Sequence, residues 1–326
     1  MGLTNFPNGI TSFGIPVVGG AEMPLTGKHF FIDPVNGNDG NTGLSVEKAF
    51  ATPAKCLTNM TAGKNDVAYL IGNGASSGSG RLTTELDWNK NACHLIGIAA
   101  PSMVAGRARI AWLSTATKED TLFTLSASGC IISNIHFFQD YDTAAAQQAM
   151  VVTGERNYIA NCHIAGGGNA TGAAHASCTS LTLTGGGENT FEDCTIGLDT
   201  IGSGAGANAT IAISTAVART IFKRCHIVKE AGDTDPLFVS VGAAGITRYI
   251  IFEDCMFINT AGSKTMVAAM GVNASPGGNI FLLGGGLFGA VTDWVAADHA
   301  YVQLCGYMNA GSGNLNTSIA HAFDES

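Results

Sequence analysis

Charge is scarce in this chain: Lys, Arg, Asp and Glu make up 13% of its 326 residues, against a usual share of about a quarter. The basic residues are scattered and the net charge is −9, so there is no basic stripe of the kind that neutralises phosphates, and a nucleic-acid partner is not expected. Long apolar runs are missing too. Mean hydropathy is only +0.22, and no run of about eighteen apolar residues could span a bilayer, so no membrane partner is expected. The start, Met1-Gly-Leu-Thr-Asn-Phe-Pro, has neither a basic n-region nor an apolar h-region, so no secretory leader is expected. Phe6 stands where a myristoylation motif needs Ser or Thr. Nine cysteines form no C-x-x-C pair, which removes the zinc-ribbon and thioredoxin readings. An odd count also argues against a secreted disulfide scaffold.

What is abundant is glycine, with 43 residues, together with Ala, Thr and Ser. That composition suits a chain with many tight turns and small packed side chains, as stacked β-coils require.

The cysteines carry the main regularity. Cys162, Cys194, Cys225 and Cys255 occupy one register, 32, 31 and 30 residues apart, in segments such as Asn189-Thr-Phe-Glu-Asp-Cys-Thr-Ile196 and Thr220-Ile-Phe-Lys-Arg-Cys-His-Ile227. Ile135 stands at the same place 27 residues upstream of Cys162, and Gly286 at 31 residues downstream of Cys255, with Cys130 outside this ladder. A short pattern recurring about every thirty residues is a solenoid signature. Large apolar residues sit three positions before the ladder (Ile132, Ile159, Phe191, Phe222, Phe252, Leu283) and two after it (Phe137, Ile164, Ile196, Ile227, Phe257, Phe288). A spacing of two keeps both residues on the inward face of one strand, whereas a spacing of three requires a bend. The residue just before the ladder is Asn134, Asn161, Asp193, Arg224, Asp254 or Gly285, and Asn, Asp and Gly tolerate the left-handed backbone of a tight corner.

A third strand per coil is expected near 122–125, 150–152, 181–183, 211–213, 237–241 and 266–270. The segments are short, rich in Thr, Ile, Val and Phe, and punctuated by Gly, which excludes helical repeats of similar period. The expected fold is therefore all-β: a right-handed parallel β-helix. Its residues 29–310 would form the solenoid, with a capping helix near 52–60 (Thr52 as N-cap, Pro53 at the first helical position, Leu57 and Met60 inward). Residues 67–71, 94–98 and 109–113 would form the first, less regular coils, and a strand within 301–307 the last. Residues 1–28 read as an anchoring arm whose Phe6, Ile10, Phe13, Ile15, Val17 and Val18 would dock on a neighbouring surface. Residues 311–326 read as a polar tail.

Chemistry has few places to reside. Two residues before the ladder come Glu192, Lys223 and Glu253, and one before it Asp193, Arg224 and Asp254. Coils stack about 4.8 Å apart, so each basic residue would lie between two acidic ones in an inter-coil ion-pair ladder. Glu192 and Glu253, two coils apart, would stand roughly 9–10 Å from each other, near the spacing of an inverting glycosidase. Lys223 and Arg224 between them would keep both ionised, which disfavours an acid catalyst. His136, His163 and His226 follow the ladder position and point outward, and are read as exposed strand histidines with no third metal ligand. Asn36, Asn38, Asp39 and Asn41 resemble a calcium loop in composition but fail the EF-hand register, and read as a turn cluster. The stacked cysteines are expected to be core thiols. No catalytic, metal or cofactor site is expected from these motifs.

The opening segment Met1–Pro16 (Met-Gly-Leu-Thr-Asn-Phe-Pro-Asn-Gly-Ile-Thr-Ser-Phe-Gly-Ile-Pro) and the stretch Phe31-Ile-Asp-Pro-Val-Asn-Gly-Asn-Asp-Gly-Asn-Thr-Gly43 resemble the start of β-helix virion proteins of tailed bacteriophages. The second stretch, with Ala49-Phe-Ala-Thr-Pro-Ala54, is also similar to the opening of pectate-lyase-like β-helices. Those enzymes use Asp-bound calcium and a basic residue on an outer face; the motifs here place no such constellation, and no catalytic residue is carried over. The resemblance implies a virion structural protein assembled in the host cytoplasm, homotrimeric, with the major capsid protein or another virion protein as partner. A non-enzymatic head decoration protein held by its arm is the first expectation. A tailspike or fibre that binds, and even cleaves, host surface polysaccharide is the alternative, with a glycan on the outer face.

Overall fold

The computed structural model describes residues 27–310, apart from 73–78, 114–115, 117, 146, 205–207, 297–298 and 307, and two short N-terminal strands, Thr11–Ser12 and Ile15–Pro16, which pair antiparallel. The rest of the arm, including Phe6, Ile10, Phe13, Val17 and Val18, and the tail 311–326 lie outside the described residues, as does the Ile15 side chain.

The chain is a parallel β-helix, as expected. Three parallel sheets run its length, with ten, nine and eight strands. In each, neighbours in space are one coil apart in sequence. Sheet 1 runs from His29–Ile32 through Tyr158–Ala160, Thr190–Glu192, Thr220–Lys223 and Tyr249–Glu253 to Val302–Cys305. Sheet 2 holds the strands after the corner, among them His136–Phe138, His163–Ala165, Thr195–Ser203 and His226–Ala231. Sheet 3 holds the third strand of each coil, from Leu86–Asp87 to Val291–Val295. The six third-strand candidates all fall inside sheet 3.

The corner between sheets 1 and 2 is built as the spacing requires. Asn134, Asn161, Asp193, Arg224 and Asp254 have φ of 57°, 52°, 53°, 49° and 51°, so one left-handed residue turns each coil. Inside it, Cys162, Cys194, Cys225 and Cys255 are buried, and their thiols contact backbone carbonyls of their own and the preceding coil, as between Cys225 Sγ and Phe191 O at 3.4 Å. Burial pushes the Cys194 and Cys255 thiols well up, so the ladder is a column of neutral core groups. Beside it Phe191, Phe222 and Phe252 stack at 4.8 and 4.7 Å between centroids.

The expected register fails in one coil. Gly286 pairs with Met256, not with Cys255, so Gly285 holds the ladder position and Gly284, with φ of 68°, makes the corner. The inward residues are accordingly Leu282 and Leu287, while Leu283 is exposed and Phe288 half-buried. Three consecutive glycines have no side chain to mark which is inward, and only the alternation of Ile280 and Leu282 settles the frame. A Cβ on Gly285 would lie 2.0 Å from Cys255 O, so that position accepts no side chain.

Cys130 is not isolated either. It pairs in register with Cys93, one coil up, next to Cys56 of the capping helix Pro53–Asn59. This second thiol column, with Cys93 and Cys130 pushed up to about 12 and about 11 by burial, continues as an asparagine ladder. Asn157 Oδ1 accepts from Cys130 N (2.8 Å), Asn189 Oδ1 from Asn157 N (2.9 Å), and their amides donate to Ala127 O and Gly154 O. Asn189→Ala leaves Asn157 N–H and Gly154 C=O buried without partners, at about 1–3 kcal/mol each; urea denaturation should show a loss of that size, and an unchanged midpoint would refute the ladder's role.

The capping helix follows expectation: Thr52 Oγ1 accepts from Lys55 N, Pro53 opens the helix, and Leu57 and Met60 are buried over the first coil. The Asn-rich loop is a turn cluster. Asp33 accepts from the backbone of Val35 and Asn36, and Asp39 from Ala51 N, Thr52 N and Thr52 Oγ1. Among the described residues no helix is long and apolar enough to cross a membrane.

Candidate functional site

The outward row of sheet 2 brings Arg109, His136, His163, Thr195 and His226 into one register on five successive coils. His136 and His163 do point away from the core, but they are not exposed: only 3% and 4% of their surfaces remain accessible. Their rings stack at 4.5 Å, nearly parallel. The cover is the segment 99–107. Later coils turn from sheet 1 to sheet 2 in two residues, whereas this coil spends ten between His94–Ile98 and Arg109–Trp112, enough chain to fold over the neighbouring coils. Its Ala105 N donates to His163 Nδ1 (3.0 Å), and His163 Nε2 donates to Gly197 O (3.0 Å). Both ring nitrogens are thereby committed, and the tautomer is fixed with the proton on Nε2. Burial, the neighbouring ring and Arg109 push His136 down to about 2; burial also lowers His163.

Beyond this cover lies a groove of about 270 Å³. Pro101, Ser102 and Met103 form one wall, and Asn161, Asp193, Arg224 and His226 line it from three successive coils. The corner residues that turn the chain are thus also the polar groups of the groove, because a left-handed corner residue projects its side chain away from the core. Met103, Val104 and Ile98, exposed by 59, 38 and 48%, add an apolar rim.

Electrostatically the groove is tied together by Arg224. Its Nε and Nη2 donate to Asp193 (2.8 and 2.9 Å), and Nη2 also donates to Glu192 Oε1 (2.5 Å). Glu192 accepts from Tyr158 OH at 2.7 Å as well. These hydrogen bonds from Tyr158 and Arg224 hold the Glu192 carboxyl below its usual range and the Arg224 guanidinium above its own. Lys223 pairs with Glu253 at 3.8 Å. The alternating ladder therefore exists, but Arg224 leans to the preceding coil instead of dividing itself between Asp193 and Asp254. A further ion-pair column, Arg156–Glu188–Arg219 at 2.7 and 3.0 Å, lines the corner between sheets 3 and 1; no regular spacing in the sequence marks it. The candidates Glu192 and Glu253 lie on the flank of this groove, two coils apart, with Lys223 and Arg224 between them. Ionised carboxylates so held accept hydrogen bonds from hydroxyl groups and do not donate protons at neutral pH.

No protein-family model matches the chain, and no curated protein does. Solved structures do. A pectin methylesterase in complex with a hexasaccharide superposes with a TM-score of 0.56 at 15% identity, covering 88% of this chain and 91% of the other. The pectin methylesterase PemA of Erwinia chrysanthemi gives 0.55 at 15% identity over the same shares. What is shared is the fold. Tailspike protein 2 of an Escherichia coli bacteriophage gives 0.41 at 10% identity over 78% of this chain and 40% of its own. The pectin methylesterases correct one expectation. The chain was read as non-enzymatic because no catalytic constellation appeared in its motifs, but enzymes are built on this same coil stack, so the missing motif does not exclude catalysis.

Proposed function

We propose that this protein binds an extended polysaccharide on the outer face of sheet 2, as a tailspike- or fibre-like virion protein of a tailed bacteriophage, attached through residues 1–28 and trimeric. One observation carries the reading: the groove beside segment 99–107 aligns Asn161, Asp193 and Arg224 on three successive coils, a linear array about 10 Å long at the coil spacing. A chain of sugars presents repeated hydroxyls along a line, and fixed carboxylate, amide and guanidinium groups answer them with charge-assisted hydrogen bonds. Met103 and Val104 offer apolar contact to the sugar faces. The hexasaccharide complex of a pectin methylesterase shows that an oligosaccharide can be held by a protein of this fold. The phage assignment is supported by the resemblance of the opening segments.

The test is glycan binding to purified surface polysaccharides of host candidates, with product analysis of each mixture to detect chain cleavage or de-esterification. Arg224→Ala frees Asp193 and Glu192 and should weaken binding at least tenfold, about 1.4 kcal/mol or more. Equal binding by the wild type and this variant would sink the groove. Cryo-electron microscopy of virions places the protein independently: density at the tail supports the reading, and density on the head lattice returns it to decoration.

A further inference from the structure

A second polar site lies away from the groove, where the strands Thr195–Ser203 and His226–Ala231 of sheet 2 run past the core beneath the loops that lead into sheet 3. Lys229 is buried there, with 7% of its surface accessible. In the next coil its register position is held by Asn259, and in the preceding one by Leu198. Its Nζ donates to Asn208 Oδ1 at 2.8 Å. The Asn208 amide is oriented for this, because its Nδ2 donates to Ala173 O (2.8 Å) and His175 O (3.3 Å).

An ammonium has three N–H groups, and a neutral amide oxygen supplies no opposite charge. Among the described residues no Asp or Glu forms an ion pair with Lys229. The segment 205–207 beside Asn208 is Ala, Gly and Ala, so it carries no carboxylate. The neighbouring Cys178 thiol is pushed up to about 11 by burial and is neutral. A buried cation without a counter-charge is strongly unfavourable. Beside it is a cavity of about 30 Å³, lined by Lys229, Asn208, Thr179, Ser180, Thr210 and the backbone of Gly166 and Gly167. That volume holds one water molecule or one monatomic ion; phosphate and sulfate are too large.

We infer that this cavity is a binding site for a small monovalent anion, a halide, held by the Lys229 ammonium and the surrounding hydroxyl and amide groups. The ion supplies the missing charge and ties together the three coils that contribute Thr179, Asn208 and Lys229. The site is independent of the glycan groove.

The experiment uses the full chain. Thermal midpoints are measured at pH 6.5 across a chloride series, with gluconate holding ionic strength constant, and again at pH 10, where the lysine is neutral. The expected result is a midpoint that rises by a few degrees with chloride at pH 6.5 and is flat at pH 10. Lys229→Met, which keeps the length of the stem and removes the charge, should be flat at both. Crystals grown in bromide should show an anomalous peak in the cavity within hydrogen-bond reach of Nζ; this needs no variant to fold. A chloride-independent midpoint at pH 6.5, or a cavity without an anomalous peak, would overturn the inference and leave water as its occupant.

Discussion

Phe222→Ala should lower the unfolding free energy by about 3–5 kcal/mol, the cost of deleting a large buried aromatic side chain and leaving the space unfilled. The residue is fully buried between Phe191 and Phe252, 4.8 and 4.7 Å from each, so truncation removes two ring contacts as well as the buried surface. Each ring pair adds about 0.5–1.5 kcal/mol beyond area. The surroundings cannot close the gap easily. Sheet 1 fixes the spacing of the coils through its backbone ladder, and Cys225 with its thiol contact to Phe191 O pins the adjacent corner. Phe222→Leu keeps most of the volume and loses only the stacking, so it should cost much less. Guanidinium denaturation of the three proteins decides the matter. A solenoid is coupled only between neighbouring coils, and a hole in the middle coil also separates the two halves. The alanine variant should therefore show a broadened or two-step transition. A loss below about 1 kcal/mol would mean that the stack is not a stabilising element.

The repeat made most of this fold legible. A thiol every thirty or so residues, with an apolar residue three before and two after, is sufficient to place three strands and a corner in each coil, because the alternation of a strand and the left-handed corner leave few other solutions. It failed where its side chains vanish, at Gly284, Gly285 and Gly286, and where a second column changes residue type, as Cys93 and Cys130 give way to Asn157 and Asn189. The site was less legible. The groove residues Asp193 and Arg224 were visible as a charge series, and His136 and His163 as an outward pair. Their burial was not, because it comes from segment 99–107, which belongs to a coil that carries no cysteine at the ladder position. The ten-residue interval between two strands was a signal in the sequence, but an interval does not say which face its chain will cover. Lys229 gave no signal at all: a lysine in a strand reads as exposed unless the loops above it are known.

The histidine pair under segment 99–107 should make the protein acid-labile well above the range where its carboxylates protonate. In the unfolded chain both imidazoles take up a proton near pH 6.5. In the folded chain burial keeps both neutral to lower pH, down to about 2 for His136. Between these limits the unfolded state binds more protons, so stability rises with pH. The contribution is complete above pH 6.5 and is lost progressively as the pH falls below it, by about 1.4 kcal/mol per pH unit for each histidine still neutral in the fold. The groups facing the pair act on it in a definite way: Arg109 and Arg107 oppose protonation of His136, and Arg109 opposes that of His163 while Asp199 favours it. Protonation has a local consequence as well. His163 Nδ1 accepts from Ala105 N, and a protonated nitrogen cannot, so acid removes the bond that ties the segment to sheet 2. Because Pro101, Ser102 and Met103 of that segment form a wall of the groove, glycan affinity should fall over the same pH range. His136→Leu removes one titrating ring and keeps an apolar body under the cover. Denaturation midpoints between pH 7.5 and 4.5 should fall steeply for the wild type and less steeply for this variant, and the difference excludes the carboxylates, which are common to both. Parallel pH profiles for the two proteins would show that the buried imidazoles do not govern acid stability.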